Sequence, residues 1–131
     1  MLPLIVTAAI IRKDGKILIT RRPGGTRFAG LWEFPGGKLE ANESPEVGLA
    51  REIREELALD IKVGKIVDVI YHCYDWGPVL LLAYDCVPLG TTILNREVEE
   101  HRWVDSVELP SFTFLPADIP LLARLQELFT E

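Results

Sequence analysis

Ser44-Pro45-Glu46-Val47-Gly48-Leu49-Ala50-Arg51-Glu52-Ile53-Arg54-Glu55-Glu56-Leu57-Ala58 is the stretch on which the reading of this chain turns. Ser44 is a helix N-cap residue, Pro45 suits the first helical position, and Glu46 favours the positive end of the helix dipole. Val47, Ala50, Ile53 and Leu57 then recur at helical spacing, which predicts a helix from Pro45 to about Ala58. At roughly 100° per residue, Glu52, Glu55 and Glu56 fall within an arc of about 100°, with Ala50, Ile53 and Leu57 on the opposite side.

An acidic helix face is ordinarily a solvated charge run. Here the placement works against the helix. Glu52 and Glu56 are like charges four apart, which costs a few tenths of a kcal/mol. Glu55 and Glu56 also sit at the negative end of the dipole, at about 0.3 to 1 kcal/mol each. A bound divalent cation reverses both penalties. Hard oxygen donors suit Mg2+ or Mn2+, and Mg2+ is held by few carboxylates together with waters and substrate phosphates, so the pattern predicts a phosphorylated ligand as well as a metal. Arg51 reads either as a group that orients a carboxylate or binds a phosphate oxygen, or as a surface ion pair.

Outward from the helix, Leu4 to Ile11 and Lys16 to Thr20 are apolar runs joined by Asp14-Gly15, which predicts a hairpin. Arg21 to Thr26 reads as a loop, Leu31-Trp32-Glu33-Phe34 as an aromatic segment, and Pro35-Gly36-Gly37 as a breaker. Ile61 to Tyr74 and Val79 to Val87 are strand-rich around Asp75-Trp76-Gly77-Pro78, and Arg102-Trp103-Val104 is a further short strand. Pro116 to Phe129 reads as a closing helix with Leu121, Leu122, Leu125 and Leu128 on its apolar side. Strands flanking a central helix, with a second helix last, predict an α+β sandwich rather than a doubly wound parallel sheet.

The 131 residues suit one domain spanning 1–131, so a single site is expected to carry the function. A net charge of −6 argues against binding polymeric nucleic acid. A small phosphorylated ligand is compatible with it if a metal or a local Arg is present. No signal peptide is expected at Leu2 to Val6, no apolar run reaches the roughly 20 residues of a membrane span, and the cytoplasm is the expected location. Cys73 and Cys86 match no metal spacing and read as reduced core residues.

Gly37, five residues, Glu43, seven residues, then Arg51-Glu52-Ile53-Arg54-Glu55-Glu56-Leu57-Ala58-Leu59 resembles the Nudix box, G-x5-E-x7-R-E-U-x-E-E-x-G-U. One fixed position departs: Ala58 stands where the family has glycine. The preceding hairpin, Trp32 to Gly37 and Trp103-Val104 extend the likeness to the MutT-type branch over most of the chain. The resemblance implies an α/β/α sandwich with a mixed sheet. It also implies Mg2+-dependent hydrolysis of a nucleoside triphosphate to the monophosphate and pyrophosphate, with Mn2+ as a substitute. The substrate would be an oxidised or pyrimidine nucleotide such as 8-oxo-dGTP or CTP. A nucleotide sugar, a dinucleotide or a non-catalytic nucleotide-binding role are the alternatives, and the molecule would be a monomer or homodimer.

Carried over by position, the resemblance implies that Glu52, Glu55 and Glu56 bind metal or orient the attacking water. Gly36 would lend its backbone carbonyl to the metal. Glu43 and Arg51 would support the catalytic carboxylates. Glu97, six residues before Trp103, resembles an additional ligand from a late loop, with Glu100 as the runner-up. Arg22 resembles a phosphate-contacting arginine, or else is a solvated hairpin charge. Phe28, Leu31 and Trp32 offer surface for a base, or else belong to the core. Asp118 lies where relatives place a base-recognising Asn or Asp, or else caps a helix. Pro116 to Leu122 is closer to the subgroup acting on CTP and oxidised pyrimidine triphosphates.

Overall fold

The computed structural model describes residues 2–129. Strands β1 (Leu4–Lys13) and β2 (Lys16–Arg21) form the expected hairpin. Asp14 and Gly15 both take positive φ, 52° and 77°, the turn geometry whose twist matches that of the flanking strands. The breaker at Pro35 is followed by pairing, which the sequence did not suggest. Trp32–Glu33 (β3) pairs with β2, and Gly36–Lys38 (β4) runs antiparallel to β1. Glycine permits this close approach, because a Cβ on Gly36 would lie 2.0 Å from the Thr7 carbonyl oxygen.

β5 (Ile61–Tyr74) and β6 (Gly77–Pro88) form a long antiparallel pair, and β6 then runs parallel to β1. β7 (Glu100–Val104) adds antiparallel to β2, and the parallel β1–β6 pairing makes the sheet mixed. α1 (Pro45–Leu57) covers one face and α2 (Ile119–Phe129) the other. β1 shows why: Ala8 and Ile10 join Leu121 and Leu125 in one core, while Ala9 and Ile11 join Leu49, Ile53 and Leu57 in the second. Alternate residues of one strand therefore feed two cores, and each fully buried Leu or Ile contributes about 1.5 to 3 kcal/mol. The result is the α/β/α sandwich anticipated above.

Local details differ from the sequence reading. Ser44 does cap α1, its Oγ accepting from Val47 N–H at 3.3 Å. Val47 itself is 63% exposed, and Leu49 takes its place in the core. The closing segment is not one helix: Pro116–Asp118 is a 3₁₀ turn, and α2 starts at Ile119, with Pro120 tolerated where the first-turn N–H needs no partner. On α2, Leu121 and Leu125 are buried, but Leu128 is 45% exposed. Phe129 packs there instead, beneath the Arg12 guanidinium at 3.8 Å. Both cysteines are free, and Cys86 is buried as expected while Cys73 is exposed. No helix among the described residues is long and apolar enough to cross a membrane.

Candidate active site

The helical positions of the three glutamates set three depths. Glu56 lies nearest Ile53 around the helix and is buried, the Glu52 side chain is 18% exposed, and that of Glu55, farthest round, is 46% exposed. Arg51 ties the exposed part together. Its Nε reaches Glu43 Oε2 at 2.6 Å, its Nη2 donates to Glu43 Oε1 at 3.0 Å, and its Nη1 donates to Glu55 at 3.0 Å. The same guanidinium lies 3.2 Å from Glu52 and 3.3 Å from Glu40, and it donates to the Lys38 carbonyl. Arg51 is therefore an organiser of carboxylates rather than a lone surface pair. It holds the Glu43 carboxyl below its ordinary pKa, helped by the Glu40 N–H.

Gly37 and Gly48 make room for this network. A Cβ on Gly37 would lie 2.5 Å from Glu52 Cδ, and one on Gly48 would lie 2.7 Å from Glu43 Oε1. The box glycine thus lets the Glu52 carboxylate lie directly against the β4 backbone.

Glu56 has no cationic partner among the described residues. Its carboxyl is raised well above the ordinary range, first by burial and then by Glu33, Glu52 and Glu97, and it shares a hydrogen bond with Glu52. The Glu97 loop reaches this point by capping α1. Leu94 N–H donates to Leu57 O at 2.9 Å, and the Arg96 and Glu97 N–H groups donate to Glu56 O at 2.9 and 3.2 Å. Carbonyls left without partners at the helix end are satisfied this way. Glu100, the runner-up, is occupied by Arg21 and Arg102, each at 3.0 Å.

Among the described residues no three His, Cys, Asp or Glu side chains converge closely enough to enclose an ion by themselves. The four expected carboxylate ligands are thus adjacent but not preassembled. Like charges repel, and Arg51 draws Glu52 and Glu55 toward itself. The donor set nonetheless fits a hard divalent cation: a buried carboxylate ringed by carboxylates, next to the β4 backbone, with water and phosphate oxygens to complete the shell.

Beside this face opens a cavity of about 400 Å³. Gly36, Gly37 and Lys38 line its boundary with α1, while Glu33 and Asp118 lie within it. Asp118 Oδ2 accepts from Phe34 N–H at 2.9 Å, across the fold rather than within its own helix. Burial, then the charge of Glu33, pushes the Asp118 carboxyl up to about 8. Burial pushes Glu33 up to about 7, against the opposing effect of Arg22. Arg22 lines the cavity rather than standing as a solvated hairpin charge. Its Nη1 lies 3.3 Å from both Glu33 oxygens and its Nε donates to Arg27 O at 2.7 Å, which makes it an internal pair in the cavity wall.

Phe28 lines the cavity, whereas Trp32 is a core residue beneath α2. Glu33, Tyr74 and Trp76 were absent from the sequence reading of the site. The signal for Glu33 was present: it alternates with buried Trp32 and so faces the other side of the sheet.

Residues 1–125 match the NUDIX domain model. A CTP pyrophosphohydrolase of Escherichia coli is 39% identical over 123 residues, covering 94% of this chain and 91% of that protein. An 8-oxo-dGTP diphosphatase of Haemophilus influenzae is 34% identical over 92% of this chain and 89% of its own length. The solution structure of the ORF135 protein of Escherichia coli superposes with a TM-score of 0.86 at 37% identity, over 99% of this chain and 93% of the other. A crystal structure of a MutT protein from Methanosarcina mazei gives 0.87 at 26% identity, over 98% and 97%. The chain belongs to the Nudix family. It is a Nudix hydrolase, of a family that generally works with a divalent metal.

Proposed function

We propose that this hydrolase cleaves a nucleoside triphosphate to the nucleoside monophosphate and pyrophosphate, and that cytosine is its preferred base. One observation carries the reading: the cavity holding Glu33 and Asp118 meets the carboxylate face of α1 at Gly36–Gly37. A base in the cavity thereby directs its phosphates toward the acidic helix.

Glu56, Glu52, Glu97 and the Gly36 carbonyl are the groups to hold Mg2+, with Glu55 available once it leaves Arg51. Bound there, the metal supplies an activated water and neutralises phosphate charge. The protein's own part is positional. Arg51 and Glu43 hold the orientation of Glu52 and Glu55, either of which can orient or deprotonate water. Lys38, which lines the cavity and makes no ion pair among the described residues, supplies positive charge at the phosphate end.

At the base end, a neutral Asp118 donates one hydrogen bond while Glu33 accepts one. Cytosine presents an acceptor at N3 and a donor at N4, which matches that pair. The similarity to a protein named CTP pyrophosphohydrolase supports this choice. The similarity to an 8-oxo-dGTP diphosphatase supports 8-oxo-dGTP as the second substrate. A panel of nucleoside triphosphates with Mg2+ in ¹⁸O-labelled water tests the assignment. CTP should give CMP and pyrophosphate, with the label reporting the attacked phosphorus. Release of inorganic phosphate alone, or no turnover of any triphosphate, would refute it.

A further inference from the structure

The mouth of the cavity is built from aromatic groups that neither core requires. Phe28, Tyr74 and Trp76 line both the cavity and an open groove outside it, and so form the rim between them. Trp76 is 42% exposed, in the turn between β5 and β6. Its ring is parallel to that of Tyr74, with centroids 5.4 Å apart and an interplanar angle of 9°, and Phe28 meets Tyr74 at 5.3 Å. The Arg27 guanidinium lies 5.2 Å from the Trp76 centroid and makes no ion pair among the described residues.

This rim is held in register with the base-reading carboxyl. The Tyr74 hydroxyl accepts from Ala117 N–H at 3.1 Å, one residue before Asp118. Phe28 keeps a φ of 60°, a conformation costly for a bulky side chain, which persists because Arg22 pins the Arg27 carbonyl beside it. Two loops distant in sequence, one carrying Arg27 and Phe28 and the other Tyr74 and Trp76, thus meet across the opening.

We propose that Trp76, with Arg27 over its ring, is the nucleoside-gripping part of the site, and that it sets affinity for the base-bearing end of the substrate. The inference rests on the nucleoside triphosphate reading above and adds binding residues to it. An indole and a guanidinium both present flat faces to a planar base. Neither reaches the α1 carboxylates, so binding rather than bond cleavage depends on them.

The test is steady-state kinetics with the best triphosphate of the panel, alongside inorganic tripolyphosphate as a base-free competitive inhibitor. Trp76→Ala should raise KM about tenfold, the scale of one lost stacking contact, with kcat within about twofold of wild type. The inhibition constant of tripolyphosphate should stay unchanged, and Trp76→Phe should restore KM to within about threefold of wild type. Arg27→Ala should raise KM in the same direction. An unchanged KM in Trp76→Ala, with wild type active, overturns this inference alone. A tripolyphosphate constant that rises in step with KM overturns it as well, because the defect would then not concern the base. A wild type that turns over no nucleoside triphosphate removes both this inference and the reading beneath it.

Discussion

The acidic face of α1 and the acidic floor of the cavity are made of the same chemistry and lie on either side of Gly36–Gly37, yet they behave differently. On the helix, Arg51 pairs with Glu43, Glu52 and Glu55, although burial still raises the Glu52 carboxyl above its ordinary range. In the cavity, burial dominates. Glu33 shares one arginine and Asp118 has a single N–H, so both are raised toward neutrality. One set suits cations and the other suits reading a base by donating or accepting a hydrogen bond. Glu56 lies at the junction, on the helix but buried like the floor, where either a proton or a bound cation relieves its charge.

Removing that junction should have the largest effect. Glu56→Gln is expected to lower pyrophosphate release by at least about a hundredfold, as for loss of a catalytic metal ligand. Near wild-type turnover would mean that Glu56 belongs to the floor and not to the metal. Arg51→Lys should come next, with activity down about ten- to a hundredfold, because a point charge cannot serve Glu43 and Glu55 together as the planar fork does. If the helix face orients itself without the fork, kcat will stay put.

Asp118→Asn addresses the other region. It should change the ratio of kcat/KM between cytosine and other triphosphates by about tenfold, while the Mg2+ concentration for half-maximal activity holds steady. A uniform loss across all bases would show that the floor supports structure and not recognition.

The pH dependence of stability separates the regions further. Asp118 is raised from 3.8 to about 8 in the fold, so the native state binds the extra proton. Stability from this group is complete below the unfolded value, falls as pH rises toward about 8, and is flat above it. Thermal melts should show Tm declining over that window, and Asp118→Asn should flatten the decline. An equally steep profile in the variant would remove Asp118 as the cause.

The smallest effect lies at the helix exit. Ala58 adopts a left-handed conformation, φ 53°, where its Cβ is strained. Ala58→Gly should stabilise the protein by about 1 kcal/mol, raising Tm by about 3 to 5 °C without altering kcat. An unchanged Tm would show that the exit is not strained.

Much of the helix face was legible because a helix obeys a local rule. The 3.6-residue period placed Glu52, Glu55 and Glu56 together from spacing alone, and Ser44 and Pro45 marked the start. The same rule misjudged Val47, since periodicity gives an angle but not which neighbour covers it. The cavity floor was only half legible. Asp118 came through family likeness with its helix-cap alternative open, and Glu33 was marked only by its alternation with Trp32, while the Trp76 rim came from contacts the sequence does not announce.

What the chain determined by itself is therefore what local geometry dictates: the hairpin turn, α1 with its carboxylate order, and the glycines that leave room beside them. What only the tertiary structure decided is the state of each charge. Whether a carboxylate meets Arg51, a lone N–H or another carboxylate depends on residues up to 84 positions away, as between Phe34 and Asp118. Burial and partners, not residue type, set ionisation.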